Sequence, residues 1–387
     1  MFRRFVVGVG VGMSSLLMVN FLAVASAKDS AQTGVEATMK GFVQQGEFSG
    51  AVTLAHQAGK SPQVTAVGLA DLEKKTPMQP DTQFGIMSMT KPITATALLI
   101  LVDEGKVSLD DPVEKHISAF HDAKDKAGQP IRGLTIRRLL THTSGLTGDQ
   151  ACVESIACTA NLLAARPFSF QPGERWEYGP SLNVIGRIIE IASGKSYEEF
   201  LSERIFKPLA MNDTTFHPTK EQKRRIAALY KKSKDAKSLE PGERWHGLGE
   251  PDCVPNPSGG LFSTVGDLDR FYQMILNGGE LDGVRIVSPE AVKQMTSVQT
   301  GDLQAGFVPG SAWGLGWSLA REPQGVTAAL SPGSFGHGGA YGTEGWVDPV
   351  KHRVFVLMYQ REDIGNSDGS DIRKDFQNAA AAELEAN

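Results

Sequence analysis

The sequence predicts an α+β fold: an antiparallel sheet built from the N- and C-terminal segments, flanked by helices, with a mostly helical subdomain inserted at roughly 107–300. Three observations carry this. Segments rich in β-branched residues lie near both ends, at 50–72 and 352–360. Helical periodicity and Pro/Gly turns dominate the chain between them. No linker is long or biased enough to separate independent domains, so residues 28–387 are expected to form one domain.

In chain order, "GAVTLAHQAGK" (50–60) and "QVTAVGLADL" (63–72) flank a Gly-Lys-Ser-Pro turn and read as a hairpin. From Thr90 to Gly105 the chain is almost wholly apolar and stops at a glycine, which predicts a helix buried on most sides. Pro92 falls in its first turn, where the missing donor costs least. "NVIGRIIEIASG" (183–194) places Val184, Ile188 and Ile191 on one helical face and closes on Gly194. Residues 220–257, charged and then Pro/Gly-rich, read as a surface insertion. "PGERW" occurs at 172–176 and again at 241–245, too little for a repeat. "STVGDLDRFYQMILNGG" (263–279) offers a Ser or Thr cap before an amphipathic helix and a Gly-Gly stop. Strand character returns at 336–349 and 352–360, and Ile372, Phe376 and Ala380 share one face of a final helix.

The N-terminus is of another kind. "MFRR", an apolar run from Phe5 to Ala25 and "ASA" before Lys28 describe a secretory signal peptide over 1–27, cut after Ala27. Its glycines, Ser14, Ser15 and Asn20 favour cleavage over retention as an anchor, although the run is long enough for one. The expected product is periplasmic or secreted, with no stable membrane insertion. Losing Arg3 and Arg4 takes the formal charge from −5 to −7. Neither value, nor any basic stripe, suits a nucleic-acid partner. The Gly8-x-Gly10-x-Gly12 run precedes no strand–helix unit and is no nucleotide loop. Cys152, Cys158 and Cys253 would enter an oxidising compartment, where any pair is open to oxidation, and oligomeric state is equally open. The eight histidines show no metal-ligand spacing, and no cofactor is implied.

Chemistry centres on "GIMSMTKPIT" (85–94). If the segment is helical, Ser88 and Lys91 share a face, and an ammonium in so apolar a helix is desolvated toward the neutral base. A neutral amine within reach of the hydroxyl would make Ser88 an acyl-transfer nucleophile, with the helix N-terminus facing the developing oxyanion. The competing account is a helix cap and a lysine reaching solvent. Three later segments weigh against it: "LLTHTSGL" (139–146), "PGERWEYG" (172–179) with Tyr178, and "GHGG" (336–339).

With those motifs in that order, residues 35–380 resemble the serine β-lactamase and penicillin-binding-protein-like family. The similar branch holds AmpC-type β-lactamases, D-alanyl-D-alanine peptidases and family VIII carboxylesterases. "PSGGLFSTVGDLDRF" (257–271) and "FGHGGAYGTEGWVDP" (335–349) add to the likeness. The resemblance implies a β-lactamase/transpeptidase-like fold and a small ester, peptide or β-lactam substrate. It implies Ser88 as nucleophile, Lys91 as base, and Tyr178 as the group that protonates the leaving group, its phenolate steadied by Lys91. His337, with Gly338 and Gly339, would line the pocket and offer a donor, positive in the protonated form, to a substrate carboxylate. The Ser88 and Ala340 amides would form the oxyanion hole. His142 reads as structural.

Two departures bear on substrate. The family's Tyr-x-Asn is here Tyr178-x-Pro180, with Asn183 too far along to be an obvious substitute. Its Lys-Thr-Gly is here His337-Gly338-Gly339. Both losses weaken recognition of a β-lactam, so esterase-type hydrolysis ranks before D-amino-acid peptidase and β-lactamase activity. A catalytically silent binder of cell-wall peptide is the alternative of another class.

Overall fold

The computed structural model describes residues 34–148, 152–243 and 248–386, so the expected signal peptide lies outside the described residues. An eight-stranded antiparallel sheet organises them: β1 (Gly50–Gln57), β2 (Gln63–Asp71), β3 (Thr76–Pro77), β4 (Ser311–Trp313), β5 (Ser318–Ala320), β6 (Ser334–Gly338), β7 (Glu344–Asp348) and β8 (Arg353–Met358), in the order β4-β5-β6-β7-β8-β1-β2-β3. The two ends of the chain meet where β1 lies against β8, with Val52 opposite Met358 and Leu54 opposite Val356. This is the sheet expected from the two termini. The stretch 336–349 is not one strand, however: β6 and β7 form a hairpin that turns through Gly339–Thr343.

Period-2 alternation buries both faces. Ala51, Ala55, Phe355 and Leu357 face a layer made by α1 (Val35–Gln44) and α6 (Asp371–Ala386), where Met39, Phe376 and Ala380 are buried. Val52, Leu54, Val354 and Val356 face the larger core, which contains α2 (Thr90–Asp103), α3 (Ile156–Ala165), α4 (Ser181–Ser193) and α5 (Val265–Leu276). Helix α2 is buried on all sides from Thr90 to Leu101, as its composition requires. Thr264 caps α5 by accepting the Asp267 N–H, and Gly194 ends α4 in the left-handed region. The apolar stripe of α4 is rotated from the expected one. Ile185 and Ile189 are buried with Val184 and Ile188, while Ile191 is 40% exposed.

Of the cysteine pairings left open, Cys152–Cys158 is the one formed, with Cα atoms 5.7 Å apart. Among the described residues no helix is long and apolar enough to cross a membrane.

Candidate active site

A short ribbon pairing Phe84–Gly85 with Phe262–Ser263 leads the chain into a 3₁₀ turn over Met87–Met89, which continues into α2. Met87 adopts φ +46°, a left-handed conformation that costs a non-glycine residue about 1–3 kcal/mol. The turn buries Met87 and Met89 and leaves Ser88 half-buried at the mouth of two cavities. Three residues on, Lys91 is 3% exposed, and its Nζ donates to Ser88 Oγ (3.0 Å) and to the Ser258 carbonyl (2.6 Å). The spacing expectation is met, and the lysine does not reach solvent.

Tyr178 enters from the segment before α4. His142, Trp313 and Phe307 surround its ring, with centroids 4.5, 5.9 and 4.9 Å away. The residue as a whole is part-buried, and its hydroxyl is fully buried. Burial pushes the phenol well above its ordinary range; the nearby Ser88 hydroxyl opposes this and the Asp368 charge adds to it. Ser88 and Tyr178 are thus close, although no well-formed hydrogen bond joins them. Lys91 Nζ sits over the Tyr178 ring, 4.7 Å from its centroid. In this arrangement burial favours the neutral phenol, and Lys91 meets its π face.

His337 lies at the end of β6, 1% exposed. Its Nδ1 is 2.7 Å from the Gly338 carbonyl, which can only accept, so Nδ1 carries the hydrogen. Nε2 is then a buried lone pair without a partner among the described residues. Burial, aided by the Lys91 charge, lowers the histidine to about 3. In place of the expected donor for a substrate carboxylate, Nε2 here is a neutral acceptor. A histidine depressed in the fold costs stability as pH falls, because the unfolded chain binds its proton first. Between pH 6.5 and 4, wild-type stability should fall relative to His337→Gln by up to about 1.4 kcal/mol per pH unit, read by urea denaturation at each pH. Parallel curves would refute the neutral state.

Among the described residues, neither the Ser88 nor the Ala340 N–H has a backbone partner. Ser88, Gly338, Gly339 and Ala340 line the same cavity, as expected for an oxyanion site. That cavity, about 320 Å³, also takes in Tyr178, His337, Phe307 and the Gly365–Asp368 loop. The second cavity, about 580 Å³, shares Ser88, Tyr178 and Ala340 with the first and is lined also by Lys91, Asn183, Asn256, Tyr341 and Glu243 among others.

Several of these residues were not legible in advance. Asn183 is buried in the cavity wall, and its Oδ1 accepts the Ser258 N–H at 3.1 Å. Pro180 immediately precedes α4, so a residue three further on comes round to the same side. That spacing was the available signal. Glu243 and Asn256 show that 220–257 is more than a surface insertion. Phe307 comes from a loop with no motif, and Asp368 from the 3₁₀ turn Ser367–Gly369. His142 is fully buried against Tyr178, with Nδ1 accepting the Gly179 N–H at 3.4 Å, consistent with a structural role.

The Beta-lactamase family model matches residues 35–380, nearly the whole described chain. The chain belongs to this family. Family members include serine hydrolases, and the sheet-and-helix architecture agrees with theirs. Protein Rv1367c of Mycobacterium tuberculosis is 32% identical over 84% of this chain and 89% of its own. Esterase EstB of Burkholderia gladioli is 28% identical with the same coverage. EstCE1, described as a hydrolase with promiscuous acyltransferase activity, superposes with a TM-score of 0.78 at 22% identity, over 92% of this chain and 99% of its own, which bears on fold alone. This β-lactamase-family protein therefore has an esterase among its relatives.

Proposed function

We propose that this protein is an exported serine hydrolase, its residues 1–27 removed, that cleaves carboxylic esters through an acyl-enzyme on Ser88. The observation that carries the reading is the 3.0 Å contact between Lys91 Nζ and Ser88 Oγ in the larger cavity, whose wall also includes Ala340; among the described residues the Ser88 and Ala340 N–H groups have no backbone partner. In the reactive form Lys91 is the neutral amine. It takes the Ser88 proton as Oγ attacks the ester carbonyl, and the oxyanion accepts from the Ser88 and Ala340 N–H groups. Tyr178, neutral and beside Ser88, gives its hydroxyl proton to the departing alkoxide and recovers one from Lys91. Water then attacks the acyl-serine by the reverse relay, releasing the acid and restoring Ser88.

Esters are favoured because the site holds no fixed cation at position 337 and Pro180 has no side-chain amide. A second reading has its own observation. With Asn183 Oδ1 engaged by Ser258, its Nδ2 is left to donate to a substrate amide carbonyl, which suits a D-amino-acid peptide or β-lactam. Exposure to p-nitrophenyl butyrate, a D-alanyl-D-alanine peptide and a labelled penicillin separates them. Ester kcat/KM should exceed the others by about 100-fold or more, equivalent to about 2.7 kcal/mol of transition-state discrimination. The opposite order would favour peptidase or β-lactamase chemistry, and no Ser88 adduct with any reagent would favour a silent binder.

A further inference from the structure

A neutral Lys91 can take the Ser88 proton only when its lone pair faces the serine hydroxyl, and an amine on a flexible stem does not fix that direction by itself. The Ser258 carbonyl, 2.6 Å from Nζ, narrows the choice. A carbonyl oxygen can only accept, so one N–H is committed to it while the nitrogen stays 3.0 Å from Ser88 Oγ. The Ser258 carbonyl is thus the third group that orients the base of this nucleophile.

Ser258 joins two rigid peptide planes, and both are gripped. In the first, the Pro257 carbonyl accepts from Thr94 Oγ1 on α2 at 2.7 Å. Its N–H, that of Ser258, is shared between two side-chain oxygens, Asn256 Oδ1 at 2.9 Å and Asn183 Oδ1 at 3.1 Å. In the second plane the oxygen meets Lys91, and the Gly259 N–H donates to the Asn256 carbonyl at 3.1 Å. The two asparagines arrive from different elements. Asn256 closes an Asx turn on the residue two further on, across Pro257, which has no N–H to compete. Asn183 comes from the first turn of α4. Both are buried, and both line the larger cavity with Lys91 and Ser258. If the Ser258 N–H lost both oxygens it would turn to find another partner, and the carbonyl of the same residue would swing from Lys91.

We propose that Asn256 and Asn183 are positioning residues for the base: by sharing the Ser258 N–H they aim the Ser258 carbonyl at Lys91 and hold its lone pair toward Ser88. This rests on Lys91 being the base of a Ser88 hydrolase. Because two acceptors serve one donor, either asparagine partly covers for the other.

The mature chain and its variants, assayed with p-nitrophenyl acetate, p-nitrophenyl butyrate and a fluorophosphonate, test it. Asn256→Ala and Asn183→Ala should each lower kcat about fivefold, with KM within about twofold, because one base serves both acylation and deacylation. The double variant should fall about 100-fold or more, beyond the product of about 25-fold for independent losses. Both esters and the rate of fluorophosphonate inactivation should fall by the same factor, since a displaced base fails every acyl group alike. Asn256→Ser should stay within about twofold of wild type, because its hydroxyl can close the same turn yet carries no amide N–H for a substrate. A loss graded with acyl length or confined to KM would make the asparagines substrate contacts and overturn the proposal. Single variants at wild-type rates would overturn it too, as would Asn256→Ser no better than Asn256→Ala; these decide even if the double variant fails to fold. A folded double variant no worse than the product would do the same. If the wild-type chain turns over no ester and Ser88 takes no adduct, the hydrolase reading fails and takes this one with it.

Discussion

Ser88→Ala should lower turnover of p-nitrophenyl butyrate by about 10⁴-fold or more, since a nucleophile that acts with its base as a unit cannot be partly replaced. The same variant should take up no mass from a fluorophosphonate, whereas the wild-type chain gains one adduct on the peptide containing Ser88. Stability should barely move. Ser88 is half-buried, Met87 and Met89 anchor the turn on either side, and Lys91 Nζ keeps its bond to the Ser258 carbonyl. Thermal denaturation should therefore stay within a few degrees of wild type, equivalent to about 1 kcal/mol. Activity within tenfold of wild type in a folded Ser88→Ala protein would remove Ser88 from the mechanism.

Gly339→Ala should damage both the fold and the site. A methyl group at this position would fall on the Thr343 hydroxyl and the Ile86 carbonyl. Neither can withdraw cheaply. Thr343 Oγ1 donates to that same Ile86 carbonyl at 3.1 Å, and the Gly339 N–H donates to the Thr343 carbonyl at 2.7 Å. These contacts seat the β6–β7 turn on the residue just before the Met87–Met89 turn, and so fix the Ala340 amide relative to Ser88. The methyl must drive the two turns apart, at an expected cost of about 1–3 kcal/mol from overpacking. Because displacing an oxyanion donor costs about 10²–10³ in kcat, turnover should fall by that much at temperatures where the variant remains folded. Gly266→Ala is the control. That glycine is exposed in α5, with only Thr264 Oγ1 within 4 Å of the added carbon, at 3.9 Å, so it should gain about 0.5–1 kcal/mol from helix propensity. Equal melting temperatures for Gly339→Ala and wild type would refute the docking argument.

The parts of the fold that were legible are those whose residues interact along the chain. The β1–β2 hairpin follows from β-branched content and its turn, and α2 from a run too apolar to be anything but buried. The 336–349 segment misled because glycine-rich sequence carries little signal for where a strand reverses. The turn is set by Gly339 packing against Ile86, about 250 positions away in sequence, and the α4 stripe shifted for a similar reason: which of its isoleucines is covered depends on its neighbours.

By itself the sequence determined the sheet built from both ends, the buried helix that carries Lys91 beside Ser88, and the ordered motifs that include Tyr178 and His337. Those follow from periodicity and from residues three apart on one helix. Only the tertiary structure decided the protonation and direction of the site's groups. It made His337 a neutral acceptor, turned Lys91 toward the Tyr178 ring face, and brought Asn183, Phe307 and Asp368 to Ser88. Burial and nearby charge set those properties, and both are created by contacts between segments far apart in the chain.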